Sequence, residues 1–176
     1  LGATHPALAV HHHNIAGVLR LLARHDAALE HYQKALALET GALGARHPSV
    51  GLTENSIGLL LLETAKLDEA RAHLDRALAV LEPAGHPDRA LVLGNLGILA
   101  ALHGKHRDAV ARFDRALELL RTTSGPDHFR IAAITLRRAE SERALADAAA
   151  ARRDFGEALR VAQLHAKASA EAASLE

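Results

Sequence analysis

Histidine is the residue type in this 176-residue chain that first suggests chemistry, because the chain has 13 of them and imidazole is a common metal ligand. Residues 11–13 are three consecutive histidines, so on a helix their side chains point about 100° apart and cannot close on one ion. His103 and His106 have a helical metal-pair spacing, but Gly104 between them predicts a turn. We therefore expect no metal site and no cofactor.

Carboxylates and hydroxyls in the chain do not form a recognisable catalytic pattern. There is no nucleophile elbow, no phosphate-binding loop and no zinc-protease HExxH motif. Glu63, Glu140 and Glu142 are isolated carboxylates without a paired acid in an obvious pocket. The chain has no cysteine, which excludes thiolate chemistry and disulfides. We predict that the protein is not an enzyme and has no catalytic residues.

The charge balance is even, with 21 Lys and Arg against 21 Asp and Glu. A neutral chain lacks the basic surface that attracts nucleic acid or an anionic membrane, so we expect neither partner. No apolar run reaches the roughly 18 residues of a membrane span, and no signal peptide opens the chain. We predict a cytoplasmic protein. The chain starts at Leu1 and contains no Met, which we interpret as a domain cut from a longer protein.

Histidine also marks an internal repeat with spacings of 42, 39 and 42 residues. The marking pairs are His5-Pro6, His47-Pro48, His86-Pro87 and His128-Phe129. Small residues recur 23 and 30 positions after each His: Ala28, Ala70, Ala109 and Ala151, then Ala35, Ala77, Ala116 and Ala158. Large residues recur 27 positions after it: Tyr32, Leu74, Phe113 and Phe155. Because small and large residues are phased together, the pattern indicates a structural repeat and not an Ala-rich composition.

Each repeat predicts two helices that position these columns. The first opens at the proline after the marking His, since proline suits the first helical position. The second, which we expect Asp26, Asp68 or Asp108 to cap, carries Ala-x-x-x-large-x-x-Ala-Leu at helical spacing. Gly or Ala on one helix admits the large side chain of the other, and each helix pair must stack on the next to bury its outer face.

These columns resemble the tetratricopeptide repeat (TPR) family, and the His-Pro starts with "ALETGALGARHP" between units are similar to its kinesin-light-chain variety. Residues 86–120 carry the best match. The resemblance implies an all-α fold, an α-α superhelix or TPR solenoid of about four helix-turn-helix repeats. We predict a single domain, 1–176, with repeats at approximately 5–46, 47–85, 86–127 and 128–165. The bias to Ala, Arg and Leu fits a GC-rich bacterial genome, so we expect a bacterial regulatory protein.

The fourth repeat departs from the pattern and admits two registers. Our preferred register keeps Phe155 in the large column, whereas a shift of seven residues would place Ala158 in the column of Ala151. Arg138 and Glu142 occupy positions that are apolar in earlier repeats, which predicts a solvent-facing terminal repeat. Residues 166–176 are predicted to be a C-terminal helical extension or a tail.

In such families the first helix of each repeat lines a concave groove, where polar side chains, often Asn, grip the backbone of a bound peptide. The positions eight and nine residues after each marking His match these groups. The resulting ligand-binding candidates are His13, Asn14, Asn55, Ser56, Asn95 and Arg137. Two alternatives stay open: the Asn side chains could bond to the neighbouring repeat, and the stem of Arg137 could cover apolar surface.

The function that follows is a protein–protein interaction module, part of a larger regulatory or scaffold protein, that binds a peptide or protein in its concave groove. Apolar residues at the middle of the groove predict apolar anchors in the partner, with an acidic group near Arg137 and Arg143. The alternative is a self-association module that forms weak homo-oligomers through solenoid ends or faces.

Overall fold

The computed structural model describes residues 6–173, which form eight α-helices and no strand, as the all-α prediction requires. The helices are α1 Pro6–Leu21, α2 His25–Leu43, α3 Pro48–Glu63, α4 Leu67–Leu81, α5 Arg89–Leu102, α6 His106–Ser124, α7 Phe129–Ala144 and α8 Ala148–Ala173. The marking residue His5 and the tail residues 174–176 lie outside the described residues. Among residues 6–173, no helix combines the length and apolarity needed to cross a membrane.

The chain divides into two compact units, Leu1–Asn95 and Leu96–Glu176. In the first unit α1 packs on α2 and α3 packs on α4, and both α1 and α2 contact α3. In the second unit α7 packs on both α6 and α8. The predicted single domain and the predicted repeat boundaries stay predictions.

Small residues form the contact surface between the two helices of a pair. Ala28, Ala70 and Ala109 are fully buried, which confirms the predicted small column. In α5 the backbone of Gly97 lies against the ring of Phe113 in α6, and a Cβ added to Gly97 would lie 2.5 Å from Cε1 of that ring. Gly58 in α3 lies against Leu74 of α4 in the same way, and a Cβ added to Gly58 would lie 2.6 Å from Cδ2 of that leucine. The paired helices can therefore approach closely only because one of them has no side chain at this point.

The turn inside each helix pair contains one residue with a left-handed backbone. These residues are Ala23, Ala65, Gly104 and Ala146, with φ of 55°, 57°, 72° and 63°. A left-handed residue ends the first helix and reverses the chain within a few residues. The second helix then begins two residues later, which fixes its first residue.

That geometry makes the predicted caps wrong. The residues that precede α2, α4 and α6 are Arg24, Lys66 and Lys105, and none of them makes a side-chain capping bond. The predicted caps, Asp26, Asp68 and Asp108, lie instead inside the first turn. A carboxylate there still stabilises the helix by interacting with the positive end of its dipole.

Two of the marking histidines, His47 and His128, cap the first helices of their repeats. The Nδ1 atoms of His47 and His128 accept hydrogen bonds from the backbone N–H two residues on, at 3.2 and 3.3 Å. His86 accepts from the N–H of Asp88 at 3.2 Å, but α5 begins at Arg89 and not at Pro87 as predicted. Pro48 does open α3, so the proline rule holds there and fails in the third repeat.

In the fourth repeat an ion cluster replaces an apolar contact. Arg138 of α7 donates to both carboxylate oxygens of Asp154 in α8, at 2.5 and 2.8 Å, and to Asp114 of α6 at 2.5 Å. Burial lowers the pKa of Arg138, but these hydrogen bonds raise the pKa by a larger amount, so the net pKa lies above its usual value. Arg138 therefore faces inward, and the prediction that it faces solvent was wrong.

The large column of the fourth repeat also differs from the prediction. Phe155 is 37% exposed, whereas its neighbour Asp154 is 6% exposed and forms an ion pair with Arg138. Ala151 and Ala158 are buried. Helix α8 thus buries Ala151 and Ala158. The side chain that it directs towards α7 is that of Asp154 and not that of Phe155.

Replacing Gly97 with Ala should destabilise the protein by about 1–3 kcal/mol, because the added Cβ overlaps the buried ring of Phe113. The measurement is the free energy of unfolding in urea. Gly156 in α8 is the matched control, since a Cβ there has no neighbour within 4 Å. Gly156→Ala should stabilise by about 0.5–1 kcal/mol through helix propensity. Equal stabilisation by both changes would show that Phe113 does not pack against Gly97.

Replacing Arg138 with Leu should destabilise by about 3 kcal/mol at neutral pH, because it leaves the buried carboxylate of Asp154 without a counter-charge. The double change Arg138→Leu with Asp154→Leu should recover most of that loss. Arg137→Leu breaks an exposed ion pair with Glu140 and should cost under about 1 kcal/mol. Thermal or urea unfolding measures all three. A small effect of the first change would mean that Asp154 does not depend on Arg138.

Candidate functional site

In the first compact unit, side-chain hydrogen bonds connect the first helix of each repeat to the first helix of the next. The bonds are His13 Nδ1 with Thr53 Oγ1 at 2.9 Å, Arg20 Nη1 to Glu63 Oε1 at 2.6 Å, and Asn95 Nδ2 to Asn55 Oδ1 at 2.9 Å. Their partners are 40, 43 and 40 residues apart in sequence, which is about one repeat. These bonds hold α1, α3 and the start of α5 side by side.

Asn55 and Asn95 form the polar pair on this face, and both are half-buried. Asn95 donates a hydrogen bond to Asn55 of the neighbouring repeat. This contact is one of the alternatives that the sequence left open for these Asn side chains. That bond uses one donor of Asn95 and one acceptor of Asn55. An amide offers two N–H groups and a carbonyl, so the Nδ2 donors of Asn55 and the Oδ1 acceptor of Asn95 are not used by it. Contact with the next repeat therefore does not exclude contact with a ligand.

His13 is half-buried and does not behave as an exposed ligand group. It bonds to Thr53, and its ring meets that of Tyr32 edge-on, with 5.3 Å between centroids. Burial lowers the pKa of His13, which favours the neutral imidazole. Asn14 beside it is exposed, and both residues line a cavity of about 170 Å³ formed by α1, α2 and α3.

Ser56 and Arg137 occupy different settings. Ser56 is half-buried on α3 and donates to the backbone carbonyl of Leu52 at 3.0 Å, so its hydroxyl proton is already used. Arg137 belongs to the second unit, where it pairs with Glu140 at 3.1 Å. It also lines a cavity of about 190 Å³. The apolar walls of that cavity are Ile98, Ala101, Leu102 and Phe113.

The structure thus brings His13 and Asn14 to one cavity and joins Asn55 to Asn95 on the neighbouring first helices. Ser56 is on the same helix as Asn55. Arg137 lies beside an apolar cavity of its own unit. Ligand binding by these six residues stays a prediction.

Sequence reasoning missed Glu39 and Thr53. Glu39 is on α2 and is 6% exposed, and its Oε2 atom is buried without a hydrogen-bond partner among the described residues. Burial raises the pKa of this carboxyl, and a hydrogen bond from fully buried Thr53 opposes that rise only in part. The sequence did contain a signal for Glu39. The last buried residue is Leu81 in α4 and Leu120 in α6, so a glutamate at the matching position of α2 departs from the apolar pattern.

Histidine clusters in the described part of the chain do not build a metal site. His12 and His31 approach each other with 3.0 Å between their Nδ1 atoms. Residues 6–173 place no group of three or more His, Asp or Glu side chains where they could hold an ion together. Two imidazoles alone do not make the closed coordination sphere of a structural zinc site.

A family model described as "Tetratricopeptide repeat" matches residues 7–83, 49–122 and 88–164. No curated protein sequence matched significantly. Among solved structures, BtubC (BKLC) from P. vanneervenii is 20% identical with a TM-score of 0.78, and the match covers 92% of this chain and 66% of that one.

Two further structures are similar. A Podosopora anserina protein described as a kinesin light chain with nearly identical TPR-like repeats is 18% identical, with a TM-score of 0.67 and coverage of 92% of this chain and 78% of that one. Aspartyl phosphate phosphatase F from Bacillus subtilis is 12% identical, with a TM-score of 0.79 and coverage of 92% and 42%. At these identities the likeness concerns the fold alone.

The family match spans most of the chain, and the buried small columns, the two-helix repeats and the similar structures agree with it. They confirm the predicted fold class, an all-α helical repeat with kinesin-light-chain-like neighbours. The chain belongs to the tetratricopeptide repeat family.

Proposed function

We propose that this chain is a protein–protein interaction module that binds an extended peptide segment along the first helices of its repeats. Tetratricopeptide repeats are in general protein–protein interaction modules and are typically non-catalytic scaffolds. The chain spans 66% of the BtubC chain and 42% of the phosphatase chain that it resembles. We therefore place it within a larger regulatory or scaffold protein and assign it no catalytic step.

The observation that carries the proposal is the Asn55–Asn95 pair. Its 2.9 Å hydrogen bond fixes both amides before any ligand arrives, so little side-chain ordering remains to oppose binding. The unused donors of Asn55 and acceptor of Asn95 are the two kinds of group that a peptide bond needs. Bonds from His13 to Thr53 and from Arg20 to Glu63 fix the neighbouring helices in the same way.

In the second unit, the cavity beside Arg137 supports a separate contact with an apolar side chain of a partner. Its walls include Ile98, Leu102 and Phe113, and apolar walls with a few polar groups are typical of ligand pockets. Arg137 keeps a side chain that is 55% exposed despite its bond to Glu140. An acidic group next to the apolar anchor could exchange with Glu140 for this guanidinium.

Asn95→Ala should weaken the binding of a peptide partner by about fivefold or more, because one or two backbone hydrogen bonds are lost. Peptides selected by display against the wild-type chain provide the partners, and calorimetry measures their affinity. The melting temperature should change little, because the lost Asn55 bond is only half-buried.

Gln33→Ala is the matched control, since Gln33 is an exposed amide on α2, a second helix of a repeat. It should leave the affinity unchanged. If every selected peptide binds Asn95→Ala as tightly as the wild type, the first-helix face is not the binding site. If display selects no peptide at all, the interaction function itself loses its support.

A second candidate function is self-association, which the apolar face of α1 favours. Val18 is 58% exposed, Leu21 is 77% exposed and Leu22 just after the helix is 63% exposed. Contiguous exposed apolar side chains are typical of protein–protein contact surfaces. We propose that two copies could bury this face against each other in a weak homodimer.

Analytical ultracentrifugation over a concentration series tests that second function. The wild-type chain should shift towards a dimer as its concentration rises, and Val18→Glu with Leu22→Glu should remain a monomer. Leu164→Glu on α8 is the control, because that leucine is also exposed but lies on another helix. A wild-type chain that stays monomeric at every concentration would contradict self-association.

A further inference from the structure

Two cavities meet at Glu39, in the space that α1, α2 and α3 enclose. One has a volume of about 170 Å³ and the other about 190 Å³, and Val10, Glu39 and Ser49 line both. Leu52 adds an apolar wall to the first cavity, and Ala42 and Leu43 add apolar walls to the second. The space is therefore mostly apolar, with a carboxylate where the two cavities join.

That carboxylate has no counter-charge among the described residues that line the two cavities. Glu39 is 6% exposed and its Oε2 atom has no partner among the described residues. No Lys or Arg of the described chain lines either cavity. A buried carboxylate is expensive unless it is paired, and the same position of the second and third repeats holds leucine. A residue that stability alone would favour as leucine here carries a carboxylate on a side chain that lines both cavities.

Neighbouring polar groups lie beside this carboxylate. Thr53 and His13 line the same cavity as Glu39, and the Thr53 hydroxyl bonds to Nδ1 of His13 at 2.9 Å. Asn14 also lines this cavity and adds a side-chain carbonyl oxygen. The polar end of the cavity thus combines the carboxylate of Glu39 with the carbonyl oxygen of Asn14.

We propose that this pocket binds the side chain of a lysine on the partner protein, with its ammonium against the carboxylate of Glu39 and its aliphatic stem along Val10 and Leu52. The inference rests on the proposed docking function and names one chemical requirement of the partner. An ammonium group has N–H donors and one positive charge, which match the carbonyl oxygen of Asn14 and the charge of the Glu39 carboxylate.

Lysine fits this pocket better than arginine or a neutral donor. Guanidinium binds best to a carboxylate that offers both oxygens, but Oε2 of Glu39 is buried away from solvent. A neutral hydroxyl or amide would donate a hydrogen bond to Glu39 but would leave the buried charge of Glu39 uncompensated. A four-carbon stem also covers the apolar walls, as lysine stems do elsewhere.

The first test uses n-butylammonium as the probe, because it reproduces a lysine side chain without a peptide. Titration at neutral pH is followed by amide and imidazole NMR shifts of His13, Asn14 and Thr53. Butan-1-ol has the same stem without the charge, and n-butyltrimethylammonium has the charge without N–H donors. We expect saturable shifts with n-butylammonium and at least about tenfold weaker binding of both analogues.

Glu39→Gln tests the carboxylate itself. Gln keeps the shape and a side-chain oxygen but removes the buried charge, so the variant should fold at least as stably as the wild type. Its affinity for n-butylammonium should fall about tenfold or more. Glu30→Gln on the same helix is the matched control, because Glu30 is exposed, and it should bind as the wild type does. Equal binding by all three proteins would overturn the proposal.

A second arm separates this inference from the docking function. Display-selected peptides that bind the wild-type chain should contain a lysine whose replacement by norleucine weakens binding as much as Glu39→Gln does, with no further loss when both changes are combined. Peptides that bind through Asn95 but show no such coupling would overturn the lysine pocket and leave the docking function standing. Saturable binding of n-butylammonium that Glu39→Gln abolishes, with no selected peptide, would support the ammonium site and count against docking.

Discussion

Close approach of paired helices at a glycine is the constraint on which the structure depends. Where Gly58 faces Leu74 and Gly97 faces Phe113, one backbone lies directly against a large buried side chain. Interiors are packed as densely as organic crystals, so even one added methyl group has to displace a neighbour. The spacing within these two helix pairs, and hence the direction of the side chains on their outer faces, follows from these contacts.

Two acids of the second helices are buried, Asp154 in α8 and Glu39 in α2. Asp154 is compensated by Arg138, which donates hydrogen bonds to both of its carboxylate oxygens. Glu39 is equally buried, but its Oε2 atom has no partner among the described residues and its side chain lines a cavity. This difference distinguishes a structural ion pair from a candidate binding site, because no described Lys or Arg lines the cavities at Glu39.

Repeated columns made the helix pairs predictable from sequence, since Ala28, Ala70 and Ala109 report a local period that packing must satisfy. Features that depend on several helices were not predictable in that way. Arg138 turned inward because carboxylates 16 and 24 residues away lie beside it, and no local pattern links those three residues. Capping failed because a left-handed residue before each second helix starts that helix earlier than the acid.

The predicted site residues came from family resemblance and column position, which identify a face but not the bonding of each group. Asn55 and Asn95 were found because first-helix positions repeat, whereas their mutual hydrogen bond depends on how α3 and α5 lie together. Glu39 was missed because a search for polar residues on the first helices does not examine a second-helix stripe. In a repeat protein stability is nearly a sum of local terms, so one unpaired acid weakens only its own repeat and its neighbour. That locality lets a single repeat hold a binding group that an ordinary globular core would not tolerate.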